Sequence, residues 1–124
     1  MRLRFLMTTL FCAGTALAAC SQAENSSETA RDVSAAREDA RRDNYEASRD
    51  ANEERQAAGE DASEVFTKAD YDVAIKRIEG EYEIANQKCD ALGGDARDAC
   101  KESAGLERDG ARDRAATERD ANAM

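Results

Sequence analysis

The feature that most limits the fold is a pair of cysteines, Cys89 and Cys100, on either side of the double glycine Gly93-Gly94. On one continuous helix, two residues eleven positions apart would be separated by about 16 Å. A disulfide needs Cα atoms closer than about 7 Å, so a bond requires the helix to end and reverse between the cysteines. Glycine readily adopts the left-handed conformation that ends helices. We therefore expect the reversal at the double glycine, with Asp95 capping the next helix.

Apolar residues before and around the first cysteine follow the three- and four-residue spacing of one helix face. Such a face predicts a seam that packs against a second helix. The seam consists of Tyr71, Ile75, Ile78, Tyr82, Ala85, Cys89 and Leu92. If its partner were another copy of the chain rather than the second arm, the same seam would support an oligomer.

Folding the chain back at the double glycine pairs residues whose numbers sum to about 189. Ile78 then lies opposite Ala111, and large side chains of one arm generally meet small side chains of the other. The sequence therefore predicts an antiparallel helical hairpin over residues 62–124, with arms 62–91 and 95–121. An intramolecular disulfide would join the two arms.

Three alternatives stand beside the structural disulfide. A redox pair is more typically Cys-x-x-Cys near a β-α-β pattern, which this sequence lacks. A zinc site needs about four ligands, and the chain has no histidine. An intermolecular disulfide is the third alternative. The intramolecular bond is favoured because the cysteines, the glycines, the apolar seam and the small residues opposite it all indicate the same hairpin. We expect no metal and no cofactor.

An eleven-residue repeat precedes and follows this turn. It reads Ala36-Arg37-Glu38-Asp39-Ala40, Ala47-Ser48-Arg49-Asp50-Ala51 and Ala58-Gly59-Glu60-Asp61-Ala62, then Arg97-Asp98, Arg108-Asp109 and Arg119-Asp120. Eleven residues make three turns at about 3.67 residues per turn, so equivalent positions stay on one face. Residues 30–61 are therefore predicted to form a long charged helix whose alanine face packs weakly. Its continuity through Gly59 is left open, and the Arg-Asp pairs are interpreted as solvated surface.

Residues 1–19 are typical of a signal peptide. Arg2 and Arg4 supply its positive charge, and the apolar stretch from Phe5 to Ala19 is fifteen residues long. That length is short of the roughly 18 residues needed to span a bilayer. A cleaved signal is therefore favoured over a transmembrane helix.

The sequence Leu17-Ala18-Ala19-Cys20 resembles the lipobox of bacterial lipoproteins. The resemblance implies acyl chains on Cys20, cleavage before it, and attachment to a membrane through those chains. Two or three acyl chains anchor a protein stably. By the same analogy, Ser21 in place of an aspartate favours the outer membrane, with the protein facing the periplasm. Residues 20–29 would then be a flexible tether.

A second resemblance lies around the cysteines. Asp70-Tyr71-Asp72-Val73-Ala74, followed by Lys88-Cys89-Asp90-Ala91-Leu92-x-Gly94-x-Ala96-Arg97-Asp98-x-Cys100, is similar to a motif of small, exported, uncharacterised envelope proteins of proteobacteria. In those proteins the tyrosine block comes close before the first cysteine, whereas here residues 75–87 separate the two. The resemblance implies an envelope location and paired cysteines, but no activity.

Composition narrows the function further. Residues 1–19 carry two arginines and no acid, so the net charge of −9 for the whole chain becomes −11 for the remainder. This acidic balance argues against nucleic acid and anionic lipid headgroups as partners. The chain lacks histidine, a Gly-x-Ser-x-Gly motif and a phosphate-binding loop, so no catalytic residues are predicted. We do not expect an enzyme.

The function predicted from these features is a non-enzymatic outer-membrane lipoprotein with a structural or protein-interaction role in the cell envelope. Its envelope protein partner is not identified by the sequence. The alternative is a periplasmic client-binding or chaperone-like module that uses Val65-Phe66 and the face carrying the tyrosines. Such a module should expose Phe66 and Tyr71 as one patch, whereas a structural element should bury or pair them.

Overall fold

The computed structural model describes residues 23–58 and 62–123, the side chains of residues 62–66 excepted. Three α-helices make up almost all of this part. They are α1 (Ser26–Ala58), α2 (Ala62–Cys89) and α3 (Gly94–Asn122). No strand occurs within the described residues, and the predicted all-α fold class is confirmed. The predicted signal peptide, Cys20 and Gly59 lie outside the described residues.

The three helices lie side by side, with α2 between α1 and α3. In the described part of the chain α2 packs against both neighbours, whereas no pair of Cα atoms from α1 and α3 lies within 8 Å. Neighbouring helices are antiparallel. The amide of Glu24 before α1 donates a hydrogen bond to the carbonyl of Asp90 after α2, and Arg55 near the end of α1 pairs with Asp70 near the start of α2. The fold is an open row, and α2 carries both interfaces.

Helix α1 ends at Ala58, and the next helix, α2, lies antiparallel to it. The long helix predicted from the sequence therefore does not continue into α2. The small side chains that predicted weak packing instead allow close contact between the two helices. Ala51 on α1 and Ala69 on α2 are only 4% and 1% exposed. Val33 and Ala36 on α1 are buried as well. The predicted hairpin is therefore extended by a third antiparallel helix.

Helices α1 and α2 come very close together at Ala40 and Gly80. A Cβ atom built on Gly80 would lie 2.6 Å from Ala40 Cβ and 3.3 Å from its Cα. Real Cβ atoms do not come so near to another carbon, because interiors are already close-packed. The absence of a side chain at Gly80 is what allows the two helices to cross at this distance.

Asn25 caps the start of α1. Its Oδ1 accepts hydrogen bonds from the amides of Ser27 and Glu28 at 3.1 and 2.9 Å, and its Nδ2 donates to Glu28 Oε2 at 3.1 Å. This reciprocal pattern satisfies amides that the first helical turn leaves unpaired. The helix consequently starts at Ser26, not at the predicted residue 30, and the last part of the predicted tether 20–29 is helical.

The second reversal follows Cys89. The amides of residues 90–92 each donate to the carbonyl three residues earlier, which closes the last turn of α2 tightly. Gly94 has a φ of 57°, the left-handed conformation that glycine adopts at little cost. The N-cap of α3 is Gly93, which has no side chain to bond, so the prediction that Asp95 caps is wrong. Asp95 lies instead in the first turn, where its charge favours the helix dipole.

Candidate functional site: the stapled α2–α3 seam

The hairpin of α2 and α3 is closed by Cys89 and Cys100. Their sulfur atoms are at bonding distance and their Cα atoms are 5.6 Å apart, within the range that a disulfide requires. Cys89 is only 1% exposed, so the bond lies at the buried seam. The predicted reversal and the predicted pairing of the two cysteines are both confirmed.

The register of the hairpin also follows the prediction. Ile78 lines one groove of the seam together with Ala104 and Ala111, and the groove has a volume of about 320 Å³. Ile78 and Ala104 are 6% and 7% exposed. The small residues of α3 therefore receive the larger residues of α2, as their spacing predicts.

Burial along the predicted seam is uneven. Only two of its members, Ile78 and Cys89, are fully buried. The partly buried members are Tyr71, Ile75, Tyr82 and Ala85. Leu92 is 41% exposed, so its assignment to the seam is wrong. The helical spacing no longer applies to it, because α2 ends at Cys89 and Leu92 lies in the turn.

Each seam tyrosine is covered by an arginine of α3. The Arg108 guanidinium carbon lies 4.4 Å from the ring centroid of Tyr82, and that of Arg119 lies 4.6 Å from the ring of Tyr71. Stacks of this kind stabilise exposed sites by about 0.5–1 kcal/mol each. The two tyrosines are eleven residues apart, and so are the two arginines. Both arms therefore share the same eleven-residue period, and each arginine of one arm lies over a tyrosine of the other.

Each of these arginines donates hydrogen bonds to the aspartate that follows it in the sequence. Arg108 donates from Nε and Nη2 to Asp109 Oδ1 at 2.9 and 2.8 Å, and Arg119 donates to Asp120 Oδ1 at 2.9 and 2.7 Å. These hydrogen bonds raise the pKa of both guanidinium groups above its ordinary value, and arginine is charged at physiological pH in any case. The interpretation of the Arg-Asp pairs as solvated surface was incomplete, and the shared eleven-residue spacing was the signal for the stacking.

Two ion pairs join α2 and α3 on one side of the seam. Arg112 contacts Glu79 at 2.6 Å, and Lys101 contacts Asp90 at 2.7 Å. Three of these four side chains are 39–45% exposed, so each pair contributes about 0–1 kcal/mol. The disulfide and the packed small residues account for more of the stability of the hairpin than these charges do.

The Tyr82–Arg108 stack has a measurable energy. We expect a double-mutant cycle of Tyr82→Leu and Arg108→Gln, followed by urea unfolding, to give a coupling free energy of about 0.5–1 kcal/mol. Arg97 occupies the same repeat position, but among the described residues the stacked tyrosines belong to Arg108 and Arg119 and not to Arg97. A cycle of Tyr82→Leu with Arg97→Gln is the matched control and should give no coupling. Equal coupling in the two cycles would contradict the stack.

The face of α2 that packs against α3 was predicted from the sequence, whereas the face that packs against α1 was not. Ala69, Val73, Gly80 and Ile84 follow one another at steps of four, seven and four residues. Ala69 lines a groove with residues of α1, and Gly80 is in close contact with Ala40 of α1. Their small average size made this second stripe hard to recognise. A helix with two apolar stripes on opposite sides is the signal that it packs between two neighbours.

Two features were not found among the described residues. In residues 23–58 and 62–123, no helix is both long and apolar enough to cross a membrane. Nor does this part of the chain hold three or more His, Cys, Asp or Glu side chains grouped to bind a metal ion. The expected lack of catalytic activity and of a cofactor stays a prediction.

No known family model matches the chain, and neither a curated protein nor a solved structure matches it. The proposals that follow therefore rest on the residues of this chain and on their geometry.

Proposed function

We propose that the chain is a lipid-anchored, non-enzymatic protein of the bacterial cell envelope with a structural or protein-interaction role. The observation that carries the proposal is the Leu-Ala-Ala-Cys sequence that ends at Cys20, followed closely by a capped helix at Ser26. Acyl chains on Cys20 would attach the chain to the outer membrane on its periplasmic side. The helical body would then begin only a few residues from the anchor.

The geometry at the start of α1 supports a helical body held close to the anchor. Glu24 donates its amide to the carbonyl of Asp90 at 3.0 Å, and Thr29 Oγ1 donates to Glu24 Oε2 at 3.3 Å. The start of α1 and the stapled turn therefore lie together. α1 has 33 residues and is about 50 Å long at 1.5 Å per residue. In this arrangement, the reversal between α1 and α2 would be the end farthest from the anchor.

An interaction role has support from the exposed surface. Tyr45 on α1 and Leu106 on α3 are 71% and 69% exposed, and among the described residues Leu92 is the only other exposed large apolar side chain. The apolar seam is occupied by the chain's own α3, which disfavours the seam as an oligomer contact. A protein partner would instead bind the exposed outer surface of the three helices.

A client-binding or chaperone-like module is the second candidate, and it has less support. Tyr71 and Tyr82 would form the client surface, but Arg119 and Arg108 cover their rings. The side chain of Phe66, the other residue of the predicted patch, lies outside the described residues. Covered tyrosines fit a structural element better than an open apolar surface.

The anchor is tested by replacing the acylated cysteine. We expect Cys20→Ala to abolish acylation and to move the protein out of the membrane fraction or stall its precursor. The readout is incorporation of labelled palmitate together with membrane fractionation. Cys12→Ala is the matched control, because Cys12 lies inside the apolar stretch of the signal, and it should leave both readouts unchanged. A Cys20→Ala protein that stays acylated would contradict the proposal.

A further inference from the structure

A groove on one side of the α1–α2 contact is lined by three arginines. Arg37 and Arg41 come from α1 and Arg77 from α2, and the groove has a volume of about 470 Å³. That volume is in the usual range for sites that bind small molecules. Within the described residues none of the three arginines has a carboxylate ion-pair partner. Their positive charges are therefore available to something outside the chain.

The helix crossing explains why these charges meet. Ala40 and Gly80 are in close contact, and Ala40 also lines the groove. Each of the three arginines lies within one helical turn of the crossing residue on its own helix. The missing side chain at Gly80 thus brings guanidinium groups from two helices to one site.

The arrangement costs stability in the free protein. Arg37 and Arg41 are four residues apart on one helix, and like charges at this spacing repel by a few tenths of a kcal/mol. Other acids near the crossing lie on its opposite side. Asp39, Asp43 and Glu83 line a separate groove on the opposite side of the same crossing, so the two sides of the α1–α2 pair carry opposite charge.

Glu81 is the one carboxylate that lines the arginine groove. Set against three guanidinium groups, it leaves the groove with a net charge of +2. Ser34 and Asn44 line the same groove and add neutral hydrogen-bond donors. A cationic groove of this kind is unexpected in a chain with a net charge of −9.

We propose that this groove binds a phosphate-bearing anion. Arginine presents a planar fork of N–H donors that matches phosphate oxygens in a bidentate manner. Three guanidinium groups with two neutral donors offer more hydrogen bonds than a single carboxylate can accept, and they suit a phosphate group, which presents several oxygens. The phosphate group could belong to a phospholipid headgroup or to a soluble phosphate compound, and the chemistry of recognition is the same for both.

The test uses all three helices, as residues 20–124 with Cys20→Ser, so that acyl chains do not contribute. Pyrophosphate is titrated against the protein while the arginine Nε–H resonances are followed by NMR. A second arm measures co-sedimentation with phosphatidylglycerol vesicles, with phosphatidylcholine vesicles as the reference. We expect binding in at least one arm, with the resonances of Arg37, Arg41 and Arg77 shifting if pyrophosphate binds.

Variants of the groove residues test whether the groove is the binding site. Arg41→Gln and Arg77→Gln should each weaken binding about tenfold, because each removes a charge-assisted contact. Glu81→Gln should strengthen binding about threefold by removing the opposing charge. Arg31→Gln is the matched control, since Arg31 is an exposed arginine of α1 outside the groove, and it should leave affinity unchanged.

The outcomes separate the two sources of phosphate. Pyrophosphate binding that the groove variants abolish assigns a soluble ligand, and vesicle binding that they abolish assigns a lipid headgroup. Absence of binding in both arms overturns the proposal. Equal weakening by Arg31→Gln and Arg77→Gln overturns it as well, because the interaction would then depend on total charge and not on the groove.

Discussion

Reduction of the Cys89–Cys100 disulfide is expected to lower the free energy of unfolding by about 3 kcal/mol, since the bond closes a short loop in the unfolded chain. That amount is comparable to the whole stability of many small scaffolds. We expect the urea midpoint of the helical circular dichroism signal to fall when reductant is added to residues 20–124 carrying Cys20→Ser. The protein should remain monomeric before and after reduction.

The loss should be concentrated in α3. This helix contacts α2 but not α1, so the disulfide and the thin seam are what hold it. Hydrogen exchange should therefore accelerate more in residues 94–122 than in residues 26–58 after reduction. The double variant Cys89→Ala/Cys100→Ala is the control, because reductant should leave its midpoint unchanged. An unchanged midpoint in the protein with both cysteines would show that the bond does not support the hairpin.

Replacement of Gly80 by alanine is expected to destabilise the protein, against the usual preference of helices for alanine. Alanine improves helix propensity by about 1 kcal/mol, but its Cβ would lie 2.6 Å from that of Ala40. Overpacking of this kind typically costs about 1–3 kcal/mol. We expect a net loss of about 1 kcal/mol in the free energy of unfolding, measured by urea titration.

Gly105→Ala is the matched control for this substitution. A Cβ at Gly105 of α3 would meet nothing within 4 Å, so only the gain in helix propensity applies. This variant should be more stable than the wild type by up to about 1 kcal/mol, and the two variants should differ by about 2 kcal/mol. If Gly80→Ala and Gly105→Ala stabilise the protein equally, α1 does not pack on α2 as described.

The hairpin was predictable because several independent signals agree there. The eleven-residue spacing of Cys89 and Cys100 excludes a continuous helix with a bond, and the double glycine between them supplies the turn. Large residues on one arm face small residues on the other at the register that follows. Leu92 was misassigned because periodicity alone does not show where a helix ends, and α2 ends three residues earlier at Cys89.

The interface between α1 and α2 was harder to predict from the sequence. Contact at Ala40 and Gly80 depends on the absence of side-chain volume, whereas pattern reasoning looks for large apolar residues. The start of α1 at Ser26 depends on hydrogen bonds from Asn25 and Glu28, which are local polar contacts inside a segment that composition assigns to a tether. The stacking of Arg108 on Tyr82 could be predicted only if the register between the two arms were known. In the sequence alone it appeared only as an eleven-residue spacing shared by the tyrosines and the arginines.

We propose that acyl chains on Cys20 hold the protein at the end where the disulfide closes the hairpin. Peptide mapping by mass spectrometry of protein extracted from membranes, alkylated without reduction, tests it most directly. We expect an N-terminal peptide that begins at Cys20 and carries the mass of diacylglycerol, with or without a further acyl chain. The same sample should contain Cys89 and Cys100 as one cross-linked peptide. An unmodified Cys20, or alkylated Cys89 and Cys100 as the main species, would contradict the account.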